Sequence, residues 1–133
     1  MSGFYLSLGS KTVIHAGYLF NTDNASIEPE MSILIENDII LDVLAGYISP
    51  ETDDLYIDLT GYYILPGLID MHVHLTSQSS SRAYIERTTL NAADYAIRAT
   101  KNAEKTLLAG FTSVRNLGDA DSITISLRNA INN

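Results

Sequence analysis

Leu65-Pro66-Gly67-Leu68-Ile69-Asp70-Met71-His72-Val73-His74-Leu75 decides how this chain is read. A Pro-Gly break opens it, and an apolar run with two histidines one residue apart follows. Successive side chains of a strand alternate faces, so a strand over Leu68–His74 turns His72 and His74 the same way, with Asp70 deeper on that face. Two imidazoles projecting together from a strand end can share one divalent metal ion, because neutral imidazole is a good ligand for zinc and its neighbours. Two ligands make only part of a tight site, since catalytic zinc commonly has three protein ligands and a water. From spacing alone, metal binding and ordinary packed histidines both remain open.

After this stretch the pattern is that of alternating strands and helices. Thr76–Arg82 is a serine-rich polar loop. Asn91 reads as a helix N-cap with Asp94 three residues later. Ala93, Ala96, Ile97, Thr100, Ala103 and Leu107 then recur at helical spacing, and Gly110 suits the residue after the C-cap. Phe111–Leu117 reads as the next strand and Ser122–Ile131 as a second helix, capped by Asp121 or Ser122. Strand, helix and strand of this size form a βαβ unit with parallel strands. Arg115 and Asn116 fall at the end of the second strand, where they either frame a site beside the histidines or simply end the strand. The run Ser77–Ser81 has neither a nucleophile elbow nor a glycine-rich phosphate loop.

Before the Pro-Gly break the sequence is strand-rich. Thr12–Phe20, Ser32–Glu36, Ile39–Leu44, Leu55–Leu59 and Tyr62–Leu65 read as short strands, with Asn21–Glu30 a polar loop, Asn37-Asp38 a hairpin turn and Thr60-Gly61 a further turn. Such spacing without helical period suggests a small β-sandwich or meander. His15 stands alone in the first strand and reads as a packing or surface residue.

The chain has 133 residues, one domain's worth by length and too few for a β/α barrel of roughly 250. Its net charge of −8 argues against nucleic-acid partners and anionic membrane surfaces. The acidity is confined to residues 1–66, which have ten carboxylates and one basic residue, Lys11, whereas residues 67–133 carry seven basic and six acidic side chains. The scattered tyrosines form no stacking platform interleaved with basic residues. Cysteine is absent, which excludes disulfides and thiolate metal sites. Met1–Ser10 lacks a basic segment followed by an apolar core, and no apolar run reaches membrane-spanning length, so a cytoplasmic location is the expectation.

Pro66–His74 resembles the signature of the amidohydrolase superfamily. The resemblance extends to Val13–Phe20 and Ile33–Ile40, which are similar to the first strands of that family's small β-sandwich, and to Ile57–Gly61, its lead-in to the motif. Thr106–Gly118 and Leu127–Asn132 resemble the second barrel strand and following helix of members near imidazolonepropionase and the prolidase-like enzymes. The resemblance implies an α/β plus β architecture: residues 1–65 as the N-terminal part of a composite β-sandwich, and residues 66–133 as the first two β/α units of an incomplete TIM-like barrel. It implies metal-dependent hydrolysis of C–N bonds in amides, cyclic amides or dipeptides, with one or two divalent ions, zinc first among them. On it, His72 and His74 are metal ligands, Asp70 is a supporting carboxylate behind them, and Arg115 and Asn116 border the site.

The family's other ligands and its catalytic acid–base group come from later strands, and Lys101 and Lys105 lie on a helix where neither can replace the family's bridging lysine. Asn116 departs from the Asp that close relatives carry after Arg. The expectation is therefore an N-terminal piece, inactive by itself, that takes a small amide or dipeptide substrate only within the full family architecture. It is expected to self-associate through an exposed sheet edge. The alternative is a metal-binding module without activity.

Overall fold

The computed structural model describes residues 10–119 and 121–133. The reading of the extreme N-terminus as free of an export signal falls almost wholly outside these residues. The chain divides into two compact units, residues 1–66 and residues 67–133.

In the first unit, β1 (Thr12–Asn21), β2 (Ser26–Glu36), β3 (Ile39–Ala45) and β4 (Leu55–Ile64) form one sheet in the order β3-β2-β1-β4. The β1/β2 and β2/β3 pairs are antiparallel, whereas β4 lies parallel to β1. This is not a meander. The hairpin between β2 and β3 turns at Asn37 and Asp38, both at positive φ (49° and 64°), the conformation a two-residue hairpin with the right-handed strand twist demands. Two expected breaks are absent. β2 begins at Ser26, inside the stretch read as loop, because Ser26–Pro29 pair with Tyr18–Asn21. β4 runs through Thr60-Gly61 without turning, and a register shift between Ala16 and Tyr18 accommodates it.

Val13, Ala16, Met31 and Ile33 form the buried apolar centre of this sheet, with Ser32 and His15 buried beside them. Both polar side chains pin the segment after β3. Ser32 Oγ donates to the Gly46 carbonyl and accepts from the Ile48 amide (2.7 and 3.0 Å). His15 Nε2 lies 2.8 Å from the Ile48 carbonyl and Nδ1 lies 3.0 Å from the Tyr56 hydroxyl. A carbonyl only accepts, so Nε2 carries the proton and Nδ1 accepts from the phenol. Tyr47 stacks on the same ring at 4.7 Å. His15 is a packed, fully partnered residue, and these bonds are why it can be buried.

In the second unit, β5 (Leu68–Val73) and β6 (Phe111–Asn116) pair in parallel, with α1 (Ala83–Thr89) and α2 (Ala92–Leu108) in the connection, and α3 (Ile123–Asn132) follows. The βαβ expectation holds, with α1 an element it lacked. Arg98 on α2 ties α1 down through Glu86 (2.8 Å), helped by the Tyr95 hydroxyl on the Glu86 carbonyl (3.2 Å). Helix α2 opens with a full capping box. Asn91 accepts from the amides of Ala93 and Asp94, and Asp94 accepts from the Asn91 amide, which satisfies donors the first turn would otherwise leave orphaned. It closes at Gly110, whose φ of +94° suits glycine.

The inward face of α2 differs from the expected stripe. Ala99 and Asn102 are buried, and Ala99 packs with Leu75 and Ile123, flanked by Val73, Tyr95, Ala96, Ala103 and Leu127. Ile97 and Leu107 are 72% and 58% exposed. A polar residue, Asn102, takes the centre of the buried face because its amide donates to the Leu75 carbonyl at 2.7 Å. Among the described residues, no helix is long and apolar enough to cross a membrane.

Candidate functional site

The two histidines stand where β5 ends. Gly67 lets that strand approach β6: a Cβ there would lie 2.0 Å from Thr112 Oγ1 and 2.7 Å from Thr112 Cβ. Leu68 N then donates to the Gly110 carbonyl at 2.8 Å, and the parallel ladder begins. The β5/β6 register shifts twice, the second time between Asp70 and Val73. The regular strand therefore stops one residue short of His74. The histidine rings nevertheless lie together, centroids 5.4 Å apart and planes inclined at 66°. Both side chains are exposed.

Asp70 is half-buried, and its Oδ1 accepts from the amide of His72 two residues on (2.9 Å). It holds the backbone at the irregular part of β5. Asp70 and His74 also border one hollow of about 290 Å³, together with Lys105 and Asn102 of α2. Arg115 reaches back across the sheet, its Nε donating to the Met71 carbonyl at 3.0 Å.

Asn116 is more deeply engaged. Its Oδ1 accepts from the Leu75 amide (2.9 Å), and its Nδ2 donates to the Gly118 carbonyl (3.1 Å) and Thr124 Oγ1 (3.3 Å). Flipping the amide would set NH₂ against N–H, so the network fixes its orientation. The Gly118 carbonyl in turn faces His74 Nδ1 at 3.5 Å. Gly118 itself has φ of +104°.

Three further residues take part that the sequence pattern does not single out. Asn102 holds the Leu75 carbonyl. Thr124 donates through both its amide and its hydroxyl to Asp119 Oδ2. Asp119, not Asp121 or Ser122, thereby caps α3; Ser122 sits at the N-cap position in a left-handed conformation with no side-chain bond. Asp119 Oδ1 is buried without a partner among the described residues. A polar residue inside the apolar face of α2 was a readable signal for Asn102. The Asp119–Thr124 pair had none, because the cap reaches in from outside the usual position.

A sequence model of the amidohydrolase family matches residues 63–133, more than half of the chain and all of the strand–helix region that carries the histidines. The chain belongs to the amidohydrolase family. Among solved structures, the chain is similar to a Xaa-Pro dipeptidase with methionine bound in its active site, at 43% identity and a TM-score of 0.83 over 92% of this chain and 30% of that one. It also resembles a prolidase complexed with N-methylphosphonate-L-proline (28% identity, TM-score 0.76, 92% and 29% covered). Molinate hydrolase is a third likeness (25% identity, TM-score 0.74, 93% and 27% covered). The amidohydrolase chain thus spans under a third of the length of each. No curated protein matches it. The likeness to these structures supports a mixed α/β architecture similar to that of amidohydrolase domains, and amidohydrolases generally hold divalent metals. Among the described residues, no three His, Asp or Glu side chains come close enough together to hold a metal ion.

Proposed function

We propose that this chain supplies His72 and His74 as the first two metal ligands of a hydrolase that cleaves C–N bonds of dipeptides or cyclic amides. The observation that carries the reading is the pair of imidazoles side by side at the C-terminal end of a parallel strand, the end at which β/α-barrel active sites form. Two imidazoles bound through nitrogen to one tetrahedral zinc, with bonds of about 2.0–2.1 Å, have ring centroids about 5 Å apart. The 5.4 Å separation is close to that spacing.

A divalent ion, zinc in the first instance and one or two in number, would supply Lewis acidity and an activated water at this place. The chain's own residues do the positioning. Asp70 fixes the amide of His72 and stands behind the pair. Arg115 fixes the carbonyl of Met71, the residue before His72. The architecture we assign is a segment of a composite β-sandwich over residues 1–65 and the first two β/α units of a TIM-like barrel over residues 66–133, in a cytoplasmic protein with neither nucleic-acid nor membrane partners. The substrate is a small amide or dipeptide, by analogy with the Xaa-Pro dipeptidase and the prolidase.

Two imidazoles with no third ligand beside them among the described residues support a second statement: the 133-residue chain alone is a half-site, without turnover. It is expected to self-associate through the open edges of β5 and β6, whose backbone groups are a template for pairing. Metal-dependent dipeptide hydrolysis by the isolated chain, lost in His72→Ala, would overturn this part.

A chimera tests the reading itself. Residues 10–133 would replace the equivalent segment of the 43%-identical Xaa-Pro dipeptidase. The chimera is expected to hydrolyse Xaa-Pro dipeptides and to lose that activity in His72→Ala or His74→Ala. A folded chimera whose activity survives both substitutions would refute the assignment.

A further inference from the structure

The bonds around Asn116 extend beyond framing a strand end. They form one directed chain. Asp119 Oδ2 accepts from the Thr124 hydroxyl. With its proton so committed, Thr124 Oγ1 offers a lone pair to Asn116 Nδ2 at 3.3 Å. The other Nδ2 hydrogen goes to the Gly118 carbonyl at 3.1 Å, and Asn116 Oδ1 accepts from the Leu75 amide at 2.9 Å. Leu75 is the residue after His74, and its carbonyl is held by buried Asn102 at 2.7 Å. The peptide that follows His74 is therefore clamped at both ends, its N–H by Asn116 and its next carbonyl by Asn102. The carboxylate at the head of the chain polarises each bond after it.

The consequence falls on one ring. Gly118 O is the acceptor that faces His74 Nδ1, at the long separation of 3.5 Å. Asn116 sets the position of that carbonyl through Nδ2, and the position of the His74 backbone through Oδ1. A carbonyl can only accept, so this placement favours a proton on Nδ1 and leaves the Nε2 lone pair free. A ring nitrogen donates a lone pair to a metal only when it carries no proton, and the partner of the opposite nitrogen decides which one that is.

We infer that Asn116 is a positioning residue that selects the Nδ1–H tautomer of His74 and so presents Nε2 for ligation, through the Leu75 amide on one side and the Gly118 carbonyl on the other. This rests on the reading of His74 as a metal ligand.

The test is made first without metal. Two-bond nitrogen–proton spectra of the ¹⁵N-labelled 133-residue chain at pH 8 report which nitrogen of each neutral imidazole carries the proton. Wild type is expected to show His74 mainly as the Nδ1–H tautomer. Asn116→Ala and Asn116→Leu, which remove both the acceptor for Leu75 N and the donor to Gly118 O, are each expected to move it towards the Nε2–H form, which predominates in free imidazole side chains. Thr124→Val keeps the bonds to Leu75 and Gly118 and is expected to retain the wild-type tautomer. Amide dispersion identifies a variant that has lost its fold; if the alanine variant has, the leucine variant decides. A wild-type His74 in the Nε2–H form, or an unchanged tautomer in folded Asn116→Leu, would overturn the inference.

Zinc added to the same samples separates the two readings. Asn116→Leu is expected to weaken the response of the His74 resonances by roughly 10–100-fold in zinc concentration, the usual effect of losing a partner of a metal-binding histidine. If zinc leaves His72 and His74 untouched in wild type while the tautomer result stands, the ligand reading fails and the positioning role survives.

Discussion

Replacing Gly67 by alanine tests the close approach of β5 to β6 at the start of the strand that carries the histidine pair. The new Cβ would meet Thr112 Oγ1 at 2.0 Å, Cγ2 at 2.3 Å and Cβ at 2.7 Å, against roughly 3.5–4.0 Å for unstrained carbon contacts. Rotating the threonine about χ1 moves Oγ1 and Cγ2 but not Cβ. The strands must therefore separate by about 1 Å, and the bond from Leu68 N to Gly110 O, 2.8 Å long, is the first to suffer. Overpacking of this kind costs roughly 1–3 kcal/mol, and a lost backbone bond adds about 1 kcal/mol. The expected loss is thus about 2–4 kcal/mol, at least a tenfold drop in the folding constant. Among the described residues every helix lies between Ala83 and Asn132, so urea unfolding followed by circular dichroism at 222 nm reports this unit.

The decisive comparison is a double-mutant cycle. In a Thr112→Gly background all three clashing atoms are gone, and Gly67→Ala should cost about 0.5 kcal/mol or less, within the scatter of non-interacting pairs. In a Thr112→Ala background Cβ remains, and most of the cost should persist. Equal costs in all three backgrounds would refute the reasoning.

Two further outcomes follow from local geometry. Asn91→Ala removes the acceptor of two first-turn amides and should destabilise α2 by about 1 kcal/mol in the same unfolding assay, with Asn91→Gly milder; no difference from wild type would count against the capping box. In the first unit, the amides of Glu51 and Lys11 donate to Asp54 and hold its carboxyl below the usual aspartate range. A depressed folded value stabilises above the unfolded value of about 3.9 and is lost as pH falls through the folded one. The advantage of wild type over Asp54→Asn should therefore be constant near neutrality and shrink below about pH 4. Amide exchange of β1 and β4 measures it, and a gap that widens in acid would reverse the assignment.

The features that could be read from the sequence are those set by a few neighbouring residues. The Asn37-Asp38 turn, the Asn91 cap with Asp94, and the Gly110 exit each depend on bonds spanning fewer than about five residues. The His72/His74 pairing belongs to the same class, because spacing along one strand brings the rings together even where the ladder becomes irregular. What escaped depends on distant partners. Ser26–Pro29 is a polar stretch that becomes strand only because Tyr18–Asn21 pairs with it. Thr60-Gly61 looks like a turn and is held straight by β1. The buried face of α2 was misplaced because apolar Ile97 and Leu107 outweighed Asn102 in the pattern, and Asn102 is buried only by a bond to Leu75, 27 positions away. The Asn116 network joins residues 41 positions apart. Its end at Leu75 sits inside the motif that opened the reading, yet nothing in the local pattern pointed to it.

Zinc titration of the 133-residue chain, followed through its three imidazoles by NMR, tests the histidine half-site most directly. The site described here requires His72 and His74 to shift together and His15, whose two nitrogens are already engaged, to stay still. Binding should be weak and reversed by dialysis, and either His72→Ala or His74→Ala should abolish the shift of the remaining partner. Zinc that leaves both resonances in place would contradict the metal assignment, and stoichiometric zinc that survives extensive dialysis would contradict the half-site.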